Sequence, residues 1–208
     1  MGIYQNRIFP RLHGHILAAD ELETLRAELV GQAVGHVLEI GAGIGTNFIY
    51  YSRAITSLTT SEPNESLNVI ARRSIRHFNF PIAQKSQAAE MLTAPDQSFD
   101  SVVSTFVLCS VSNLELALNQ IKRVMKPDAK FLFLERSLSA DPKVAKWQRK
   151  LTPMHRMLGN GSRLDINVRE AMESAGFVVK HASEALIPRI PRAMGNLVYG
   201  VAKLPARH

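Results

Sequence analysis

Three glycines at alternate positions, Gly41, Gly43 and Gly45, follow a short apolar segment and precede a segment with helical spacing. We predict a strand over residues 36–40 and a helix over residues 46–53, with the glycines in the turn between them. Glycine lets the backbone turn tightly and lets a ligand approach it closely, and a helix start offers unpaired N–H groups. The spacing is G-x-G-x-G, whereas the dinucleotide fingerprint is G-x-G-x-x-G and has to hold a diphosphate. The turn therefore favours a cofactor that has no phosphate groups.

Two carboxylates stand on either side of this turn. S-adenosylmethionine has no phosphate, and its cationic sulfonium and amino acid end make a nearby carboxylate such as Glu39 electrostatically suitable. Glu39 can equally hold the glycine turn in place through hydrogen bonds, and both roles stay open. Glu62 ends a second predicted strand, residues 58–62, about 20 residues beyond the glycines, where an acidic side chain can accept hydrogen bonds from both ribose hydroxyls. We therefore predict that Glu62 binds the ribose of such a cofactor.

Predicted strands and helices alternate along most of the chain, which indicates a parallel sheet covered by helices on both faces. The other predicted strands cover residues 82–84, 101–106, 130–134, 177–181 and 197–202, and the other predicted helices cover residues 16–30, 66–77, 114–125, 142–158 and 166–175. We expect the last two strands to form an antiparallel hairpin at the edge of the sheet. The predicted fold class is α/β, a Rossmann-like three-layer sandwich with a seven-stranded, mostly parallel sheet, so ligands should bind at the carboxyl ends of the parallel strands.

The length of 208 residues suits one domain, which can bury a core without disulfides or metal ions. Cys109 is the only cysteine, so no internal disulfide, cysteine-based zinc site or two-thiol redox site can form. We accordingly expect no metal and a reducing, cytoplasmic setting. The sequence shows no signal-peptide pattern and no run of about 20 apolar residues, so we expect neither export nor a membrane span.

The net charge of +7 would suit an anionic partner, but Lys and Arg are scattered and few aromatic residues stand among them. We expect a solvated basic face and no nucleic acid partner. A denser basic stretch lies in the predicted helix 142–158, whose apolar residues share one face: Val144, Trp147, Leu151, Met154 and Leu158. We expect this face to pack on the sheet. Peripheral contact with an anionic membrane surface is the alternative.

Five segments follow the order of known sequence motifs: VLEIGAGIGTN, TTSEPN, AAEML, SFDSVVST and VMKPDAKFLFLE. Together they resemble the class I S-adenosylmethionine-dependent methyltransferases. GTNFIYY, SEPN, STFVLCSVSN, FLFLERS, Trp147 and YGVAK more narrowly resemble the small methyltransferase-like alkyl thiol methyltransferases and their bacterial relatives. The resemblance implies S-adenosyl-L-methionine as cofactor, S-adenosyl-L-homocysteine as product and a small, apolar acceptor, with a thiol sulfur as the first choice.

Taken with the residues argued above, the resemblance implies a cofactor site made of Glu39, Gly41, Ala42, Gly43, Asn47, Glu62, Pro63, Asn64, Ala89, Glu90, Met91, Thr105 and Phe106. The glycine turn would line the methionine and ribose, residues 62–64 the ribose and adenosine, residues 89–91 the adenine, and Thr105 and Phe106 the reacting methyl group. The acceptor pocket would include Tyr4, Leu108, Cys109, Trp147, His155 and Arg163. Residues 1–15 would form a lid over the cofactor, residues 16–136 the cofactor-binding core, and residues 137–208 the acceptor-side helices and the terminal hairpin.

Gly161-Ser162-Arg163 stands where bacterial relatives commonly have Gly-Cys-His, beside the expected acceptor pocket, so the acceptor's identity is not carried over. A sulfonium makes its methyl carbon electrophilic, and catalysis then needs mainly a nucleophile held in line in a dry pocket. A thiol is partly ionised at neutral pH, so no base is obligatory and no catalytic residue is assigned. Two alternatives stay open: an N-methyltransferase for phospholipid head groups or another small amine, and a non-methylating cofactor-binding protein, such as a cyclase or a scaffold in a biosynthetic pathway.

Overall fold

The computed structural model describes residues 20–158, 161–187 and 190–206. Its strands are β1 (Gly35–Ile40), β2 (Ile55–Ser61), β3 (Ile82–Lys85), β4 (Phe99–Thr105), β5 (Met125–Arg136), β6 (Val178–Leu186) and β7 (Asn196–Lys203). They form one sheet in the order β3-β2-β1-β4-β5-β7-β6. Neighbouring strands from β1 to β5 pair in parallel, and β7 pairs antiparallel with β5 and β6, which confirms the predicted sheet and its terminal hairpin. The predicted lid, Tyr4 with it, and residues 16–19 lie outside the described residues.

Helices cover both faces of this sheet. They are α1 (Asp20–Val30), α2 (Glu65–Ile75), α3 (Leu114–Val124), α4 (Pro142–Leu158), α5 (Val168–Ser174) and α6 (Arg192–Gly195). Successive side chains of a strand point to opposite faces, so β1 contributes to two cores. Leu38 packs in a core with α3 and α5, whereas its neighbour Val37 packs in a second core with α1 and α2. The predicted Rossmann-like α/β fold class is confirmed.

The strand order reverses beside β1. The chain passes from β1 to β2 on one side and later returns to β4 on the other side. Such a switch point leaves a crevice at the carboxyl ends of the two central strands, where α/β proteins bind their ligands. The glycine turn leaves β1 at this crevice, and the loop of residues 106–109 leaves β4 at the same place.

The predicted helix over residues 46–53 is wrong. The chain makes turns there, and only Phe48–Tyr50 forms a single turn of 3-10 helix. The reason is that β2 begins at Ile55, earlier than predicted, and the chain must bend back to reach it. Ser52 makes this bend, because its hydroxyl accepts a hydrogen bond from the Ala54 N–H at 3.3 Å. Tertiary structure therefore overrides the helical spacing.

Two strand boundaries decide where the crevice residues lie. β2 ends at Ser61 and β4 ends at Thr105, each one residue before the predicted end. Glu62 and Phe106 are therefore the first residues of the loops that follow these strands. Their side chains are placed by loop geometry rather than by the pleat of the sheet.

The predicted packing of α4 is confirmed only in part. Val144 and Leu151 are half-buried, but Trp147 and Met154, which share their helical spacing, are 56% and 53% exposed. The buried side chains in the described part of this helix are Ala145, Gln148 and Thr152. The Gln148 side chain explains this orientation, because its amide donates to the carbonyl oxygen of Ser137 at 3.0 Å and accepts from the N–H of Ser139 at 2.8 Å. The polar face of α4 thus supplies hydrogen-bond partners for the backbone that follows β5. None of the helices in the described ranges is long and apolar enough to span a membrane.

Candidate functional site

The glycine turn presents bare backbone to the crevice. Gly41 and Gly43 have φ of +61° and +57°, the left-handed region that favours glycine. A Cβ at Gly41 would lie 2.2 Å from Val107 Cγ2, so this glycine allows the turn to pack against the loop after β4. Among the residues that the structure describes, a Cβ at Gly43 would meet nothing closer than the Gly41 carbonyl oxygen at 4.0 Å. Within this part of the chain, Gly43 therefore borders open space that a ligand can approach closely.

Glu62 joins the glycine turn to the end of β2. Its side chain is nearly buried, and it accepts hydrogen bonds from the Gly43 N–H at 3.1 Å and from the Asn64 N–H at 2.9 Å. Burial raises the pKa of this carboxyl, and the two N–H donors oppose the rise. Two carboxylate oxygens can accept about four hydrogen bonds. The carboxylate can therefore accept about two more hydrogen bonds beside the exposed backbone of Gly43, and a ribose has two hydroxyls that can donate them. These residues thus suit S-adenosyl-L-methionine.

Glu39 lies behind the turn. It is buried, and its two carboxylate oxygens accept from Asn47 Nδ2 at 2.7 Å and from the Tyr51 hydroxyl at 3.0 Å. Burial raises the pKa of Glu39 to about 7, although both hydrogen bonds and the charge of Arg26 lower it. These contacts show that Glu39 holds the turn in place, which is one of the two roles that its position allowed.

Arg26 of α1 completes this buried network. Its Nη1 donates to Asn47 Oδ1 at 2.7 Å and to Thr105 Oγ1 at 3.3 Å. Burial lowers the pKa of the Arg26 guanidinium, and the carboxylate of Glu39 opposes that shift. The network therefore ties α1, the glycine turn and the end of β4 together. Arg26 has no sequence signal that distinguishes it, because a charged residue on an amphipathic helix is usually solvated.

The Glu39 carboxyl predicts a pH dependence of stability. Its pKa rises from an ordinary value of 4.5 to about 7 on folding, so the folded protein holds a proton that the unfolded chain releases between these values. That stabilisation is complete below the unfolded pKa and is lost as the pH rises through the folded pKa. We expect the free energy of unfolding to fall between about pH 4.5 and about pH 7, by roughly 3 kcal/mol for one such group.

Urea unfolding across this pH range, with wild type, Glu39→Gln and the exposed-site control Glu173→Gln, measures the effect. Glu39→Gln should flatten the slope only in part, because burial also raises the pKa of Glu135 to about 7. Glu173, 46% exposed on α5, should leave the slope unchanged. An identical slope in wild type and Glu39→Gln would contradict the assignment.

The residues predicted beside the adenosine follow Glu62. Pro63 is exposed, and Asn64 Oδ1 accepts from the Ser66 N–H at 3.0 Å, which caps the start of α2. The Ser61 hydroxyl donates to the carbonyl oxygen of Gln87 at 2.8 Å. This bond brings the loop after β3 next to the end of β2, as the predicted adenine side requires.

The loop after β3 carries the residues predicted to flank the adenine. Ala89 is buried, whereas Met91 is 72% exposed. Glu90 Oε1 accepts from the backbone N–H groups of Ser112 and Asn113, at 2.7 and 3.1 Å. Glu90 therefore ties this loop to the segment before α3, so its carboxylate is engaged in holding the rim of the crevice.

Glu135 at the end of β5 holds the loop that follows β4. Its fully buried carboxylate accepts from the N–H groups of Val107 and Leu108, both at 3.1 Å, and from the Ser104 hydroxyl. Phe106 begins this loop with φ of +61°, a conformation that a bulky residue rarely adopts. Glu135 therefore maintains a loop conformation that the chain would not prefer by itself. Glu135 is not among the predicted site residues, although a carboxylate at the end of the apolar run FLFLE is a usable signal.

Cys109 packs behind the loop after β4 together with Leu108 and residues 161–163, and this cluster is the acceptor wall. Its thiol is buried, and Sγ accepts from the Ser162 hydroxyl at 3.4 Å, while its carbonyl oxygen accepts from the Arg163 N–H at 2.7 Å. Burial raises the pKa of the thiol, so Cys109 is an inert wall residue, as a packed free cysteine usually is. The segment of residues 161–163 thus lies against the loop after β4, where the sequence placed it.

The other residues predicted for the acceptor pocket divide into two groups. Leu108 is fully buried beside Cys109, and His155 reaches the same wall because its Nδ1 donates to the Ser162 carbonyl oxygen at 3.0 Å. The Arg163 side chain instead pairs with Asp165 on the surface, with Nε 3.0 Å from Oδ1. Trp147 is exposed on α4, with Lys150 Nζ 5.2 Å from its ring centroid. The structure therefore does not bring Trp147 and the Arg163 side chain to this wall.

Known methyltransferases are similar to this chain in sequence. Human thiol S-methyltransferase TMT1A is 34% identical over 146 residues, which are 68% of this chain and 59% of that protein. The ubiquinone/menaquinone biosynthesis C-methyltransferase UbiE of Hydrogenovibrio crunogenus is 45% identical over 125 residues, 57% of this chain and 49% of that protein. The chain thus spans less than two thirds of the length of either relative.

A crystal structure of a putative methyltransferase from Bacillus halodurans C-125 shares the fold, with a TM-score of 0.70 at 13% identity, covering 90% of this chain and all of that one. A family model described as a methyltransferase domain matches residues 13–182. The resemblance inferred from the sequence motifs is confirmed. Because the family model covers most of the chain, and the crevice carries the glycine turn and carboxylate that its motifs predicted, the protein belongs to the methyltransferase domain family.

Proposed function

We propose that this chain transfers the methyl group of S-adenosyl-L-methionine to the sulfur of a small, apolar thiol. The observation that carries the proposal is the contact between the Glu62 carboxylate and the Gly43 N–H, at 3.1 Å, beside open backbone. This pairing offers acceptors for a ribose and room for a nucleoside linkage without phosphate groups. It does not offer the G-x-G-x-x-G turn that holds a dinucleotide's diphosphate.

Each part of the crevice has a role in this reaction. When bound, the cofactor supplies an electrophilic methyl carbon. Glu62 accepts hydrogen bonds from the ribose, and the glycine turn lines the methionine portion. Thr105 and Phe106 face the methyl group from the end of β4. Leu108 and Cys109, both fully or nearly fully buried, pack behind the loop after β4, and their apolar side chains keep water from reaching the acceptor from that side.

A thiol acceptor fits this wall because sulfur needs no dedicated base. A free thiol has a pKa of about 8.5 and is partly ionised at neutral pH. Cys109 and His155, the titratable groups at the wall, both shift toward their neutral forms, because burial raises the pKa of Cys109 and lowers that of His155. The likeness to human thiol S-methyltransferase TMT1A adds support from a relative whose name states this acceptor.

A second candidate is methylation of carbon on an electron-rich ring. It is favoured by the likeness to UbiE of Hydrogenovibrio crunogenus, whose identity of 45% is higher than that of TMT1A but extends over 57% of this chain. Removing a ring proton after carbon attack requires a base. His155 is a partly buried histidine at the wall, and because its Nδ1 donates to the Ser162 carbonyl oxygen, only Nε2 is left to act as such a base. The thiol proposal makes no such demand.

The test is incubation with S-adenosyl-L-methionine labelled in its methyl group and a panel of alkyl thiols, phospholipid amines, phenols and quinols. We expect labelled thioether and S-adenosyl-L-homocysteine in equal amounts. If a lipid amine or a quinol were labelled and no thioether formed, the acceptor would be that compound and not a thiol. Tight cofactor binding without any S-adenosyl-L-homocysteine would instead indicate a non-methylating protein, such as a cyclase or a scaffold.

A further inference from the structure

Phe106 lies between two guanidinium groups at the mouth of the crevice. Arg26 Cζ is 5.7 Å from the centroid of its ring, and Arg136 Cζ is 5.6 Å from the same centroid. Arg136 is the last residue of β5, which neighbours β4. Both arginines therefore lie beside the loop that faces the reacting methyl group, and each stacks as a cation on the aromatic ring.

The two arginines differ in their other partners. Arg26 donates to Asn47 and Thr105 and lies near Glu39. Arg136 Nε is buried without a hydrogen-bond partner, and within the described ranges Arg136 forms no ion pair. A buried donor on a cation is costly to leave unpaired. Arg136 thus retains an unused donor and an unneutralised charge at the acceptor side.

The titratable groups that face Arg136 do not supply the missing partner. The positive charge of Arg136 lowers the pKa of the Cys109 thiol and of the His155 imidazole, although burial is the larger cause at both groups. Glu135, its neighbour in β5, directs its carboxylate to the loop N–H groups. The positive charge of Arg136 therefore acts on the groups of the acceptor wall, but none of the described groups there pairs with the Arg136 guanidinium.

We propose that Arg136 binds the acceptor in its anionic form, as a thiolate, and thereby selects thiols over amines. This inference rests on the proposed function. The thiol proton passes to solvent as the thiolate pairs with the guanidinium. The thiolate sulfur then forms a bond to the methyl carbon, the bond between that carbon and the cofactor sulfur breaks, and its electron pair stays on the cofactor sulfur. A guanidinium suits this role because it stays protonated and presents donors in a fixed plane.

The test uses Arg136→Met and Arg136→Lys in the full chain. An alkyl thiol is added to the complex with S-adenosyl-L-homocysteine, and thiolate absorbance in the ultraviolet is followed against pH. We expect the pKa of the bound thiol to lie below that of the free thiol in wild type and to rise by about one unit in Arg136→Met. The kcat/KM for the thiol at neutral pH should fall about tenfold. On the acidic side of its pH profile, the midpoint of kcat/KM should move to higher pH by the same amount as the pKa of the bound thiol. Arg136→Lys should keep part of the effect.

Affinity for S-adenosyl-L-homocysteine, measured by calorimetry, should stay within about twofold in both variants, since Arg136 is assigned to the acceptor. Arg169→Met is the matched control, because it also removes an arginine but from an exposed pair with Glu173. Equal losses for thiol and amine acceptors without a shift in thiol pKa would show a structural role and overturn the proposal. A loss confined to mercaptocarboxylates would assign Arg136 to a carboxylate instead.

The proposed function and this inference can fail separately. Thiol turnover that is unchanged in Arg136→Met would overturn the inference and keep the function. A lowered pKa of the bound thiol in wild type, without turnover, would keep the inference and overturn the function. A chain that neither binds nor methylates thiols would overturn both.

Discussion

Glu62→Ala will weaken the binding of S-adenosyl-L-methionine and of S-adenosyl-L-homocysteine by about 1 to 3 kcal/mol, or roughly fivefold to 150-fold in Kd. The alanine removes the acceptor proposed for the ribose hydroxyls. It also leaves the N–H groups of Gly43 and Asn64 without their present acceptor. The loss should therefore include some misplacement of the glycine turn as well as the missing contact.

Glu62→Gln separates these two parts. The amide keeps one oxygen that can accept from an N–H group, but its NH₂ cannot accept from a ribose hydroxyl. We expect about half of the loss in binding free energy that alanine causes. Isothermal titration calorimetry with both nucleosides measures these affinities, with circular dichroism as the check on folding. Glu173→Ala, which removes an exposed carboxylate on α5, should leave both Kd values unchanged.

A folded Glu62→Ala protein that binds both nucleosides as wild type does would remove Glu62 from the site. The glycine turn would then need another explanation, because Gly43 would border open space that no ligand uses. Equal affinities for the alanine and glutamine variants, both reduced, would assign the whole effect to the ribose contact, which both variants lose, rather than to the turn.

The crevice could be predicted from the sequence because its parts have short-range signals. Three alternate glycines after a buried strand, followed at a fixed distance by Glu62, identify the two loops that the structure brings together. The strand pattern also predicted the sheet, since alternation of buried strands and helices leaves few topologies. These signals predict which residues at the ends of neighbouring strands can contact a ligand.

The predictions fail where a side chain has a hydrogen-bond partner that is distant in sequence. Gln148 turns α4 so that Trp147 faces solvent, because its amide bonds to the backbone at Ser137 and Ser139, which no periodicity of the helix can indicate. Arg26 is 79 residues from its partner Thr105, so its charge was indistinguishable from that of a solvated helix residue. Hydrophobic spacing describes which residues can be buried, whereas buried polar partners decide which face is buried.

The buried carboxylate of Glu135 shows how the same kind of partner supports the acceptor wall. Glu135→Ala will lower the free energy of unfolding by about 3 kcal/mol, because it removes a buried acceptor and leaves up to three donors unpaired at roughly 1 to 3 kcal/mol each before relaxation. The donors are the N–H groups of Val107 and Leu108 and the Ser104 hydroxyl. Phe106 should then leave its left-handed conformation, since the contacts that hold it there are lost.

Urea unfolding of wild type, Glu135→Ala, Glu135→Gln and the control Glu173→Ala measures this effect at about pH 6, below the folded pKa of about 7 at which Glu135 releases its proton. Glu135→Gln, which keeps the shape and one acceptor oxygen, should lose less than half as much stability as alanine. In kinetics, both variants should raise the KM for the acceptor more than they change the Kd for S-adenosyl-L-homocysteine, because the loop after β4 forms the acceptor wall while the ribose contact lies in the loop after β2. Wild-type stability in Glu135→Ala would mean that the loop conformation does not depend on this carboxylate, and the wall would have to be maintained by the packing of Leu108 and Cys109 alone.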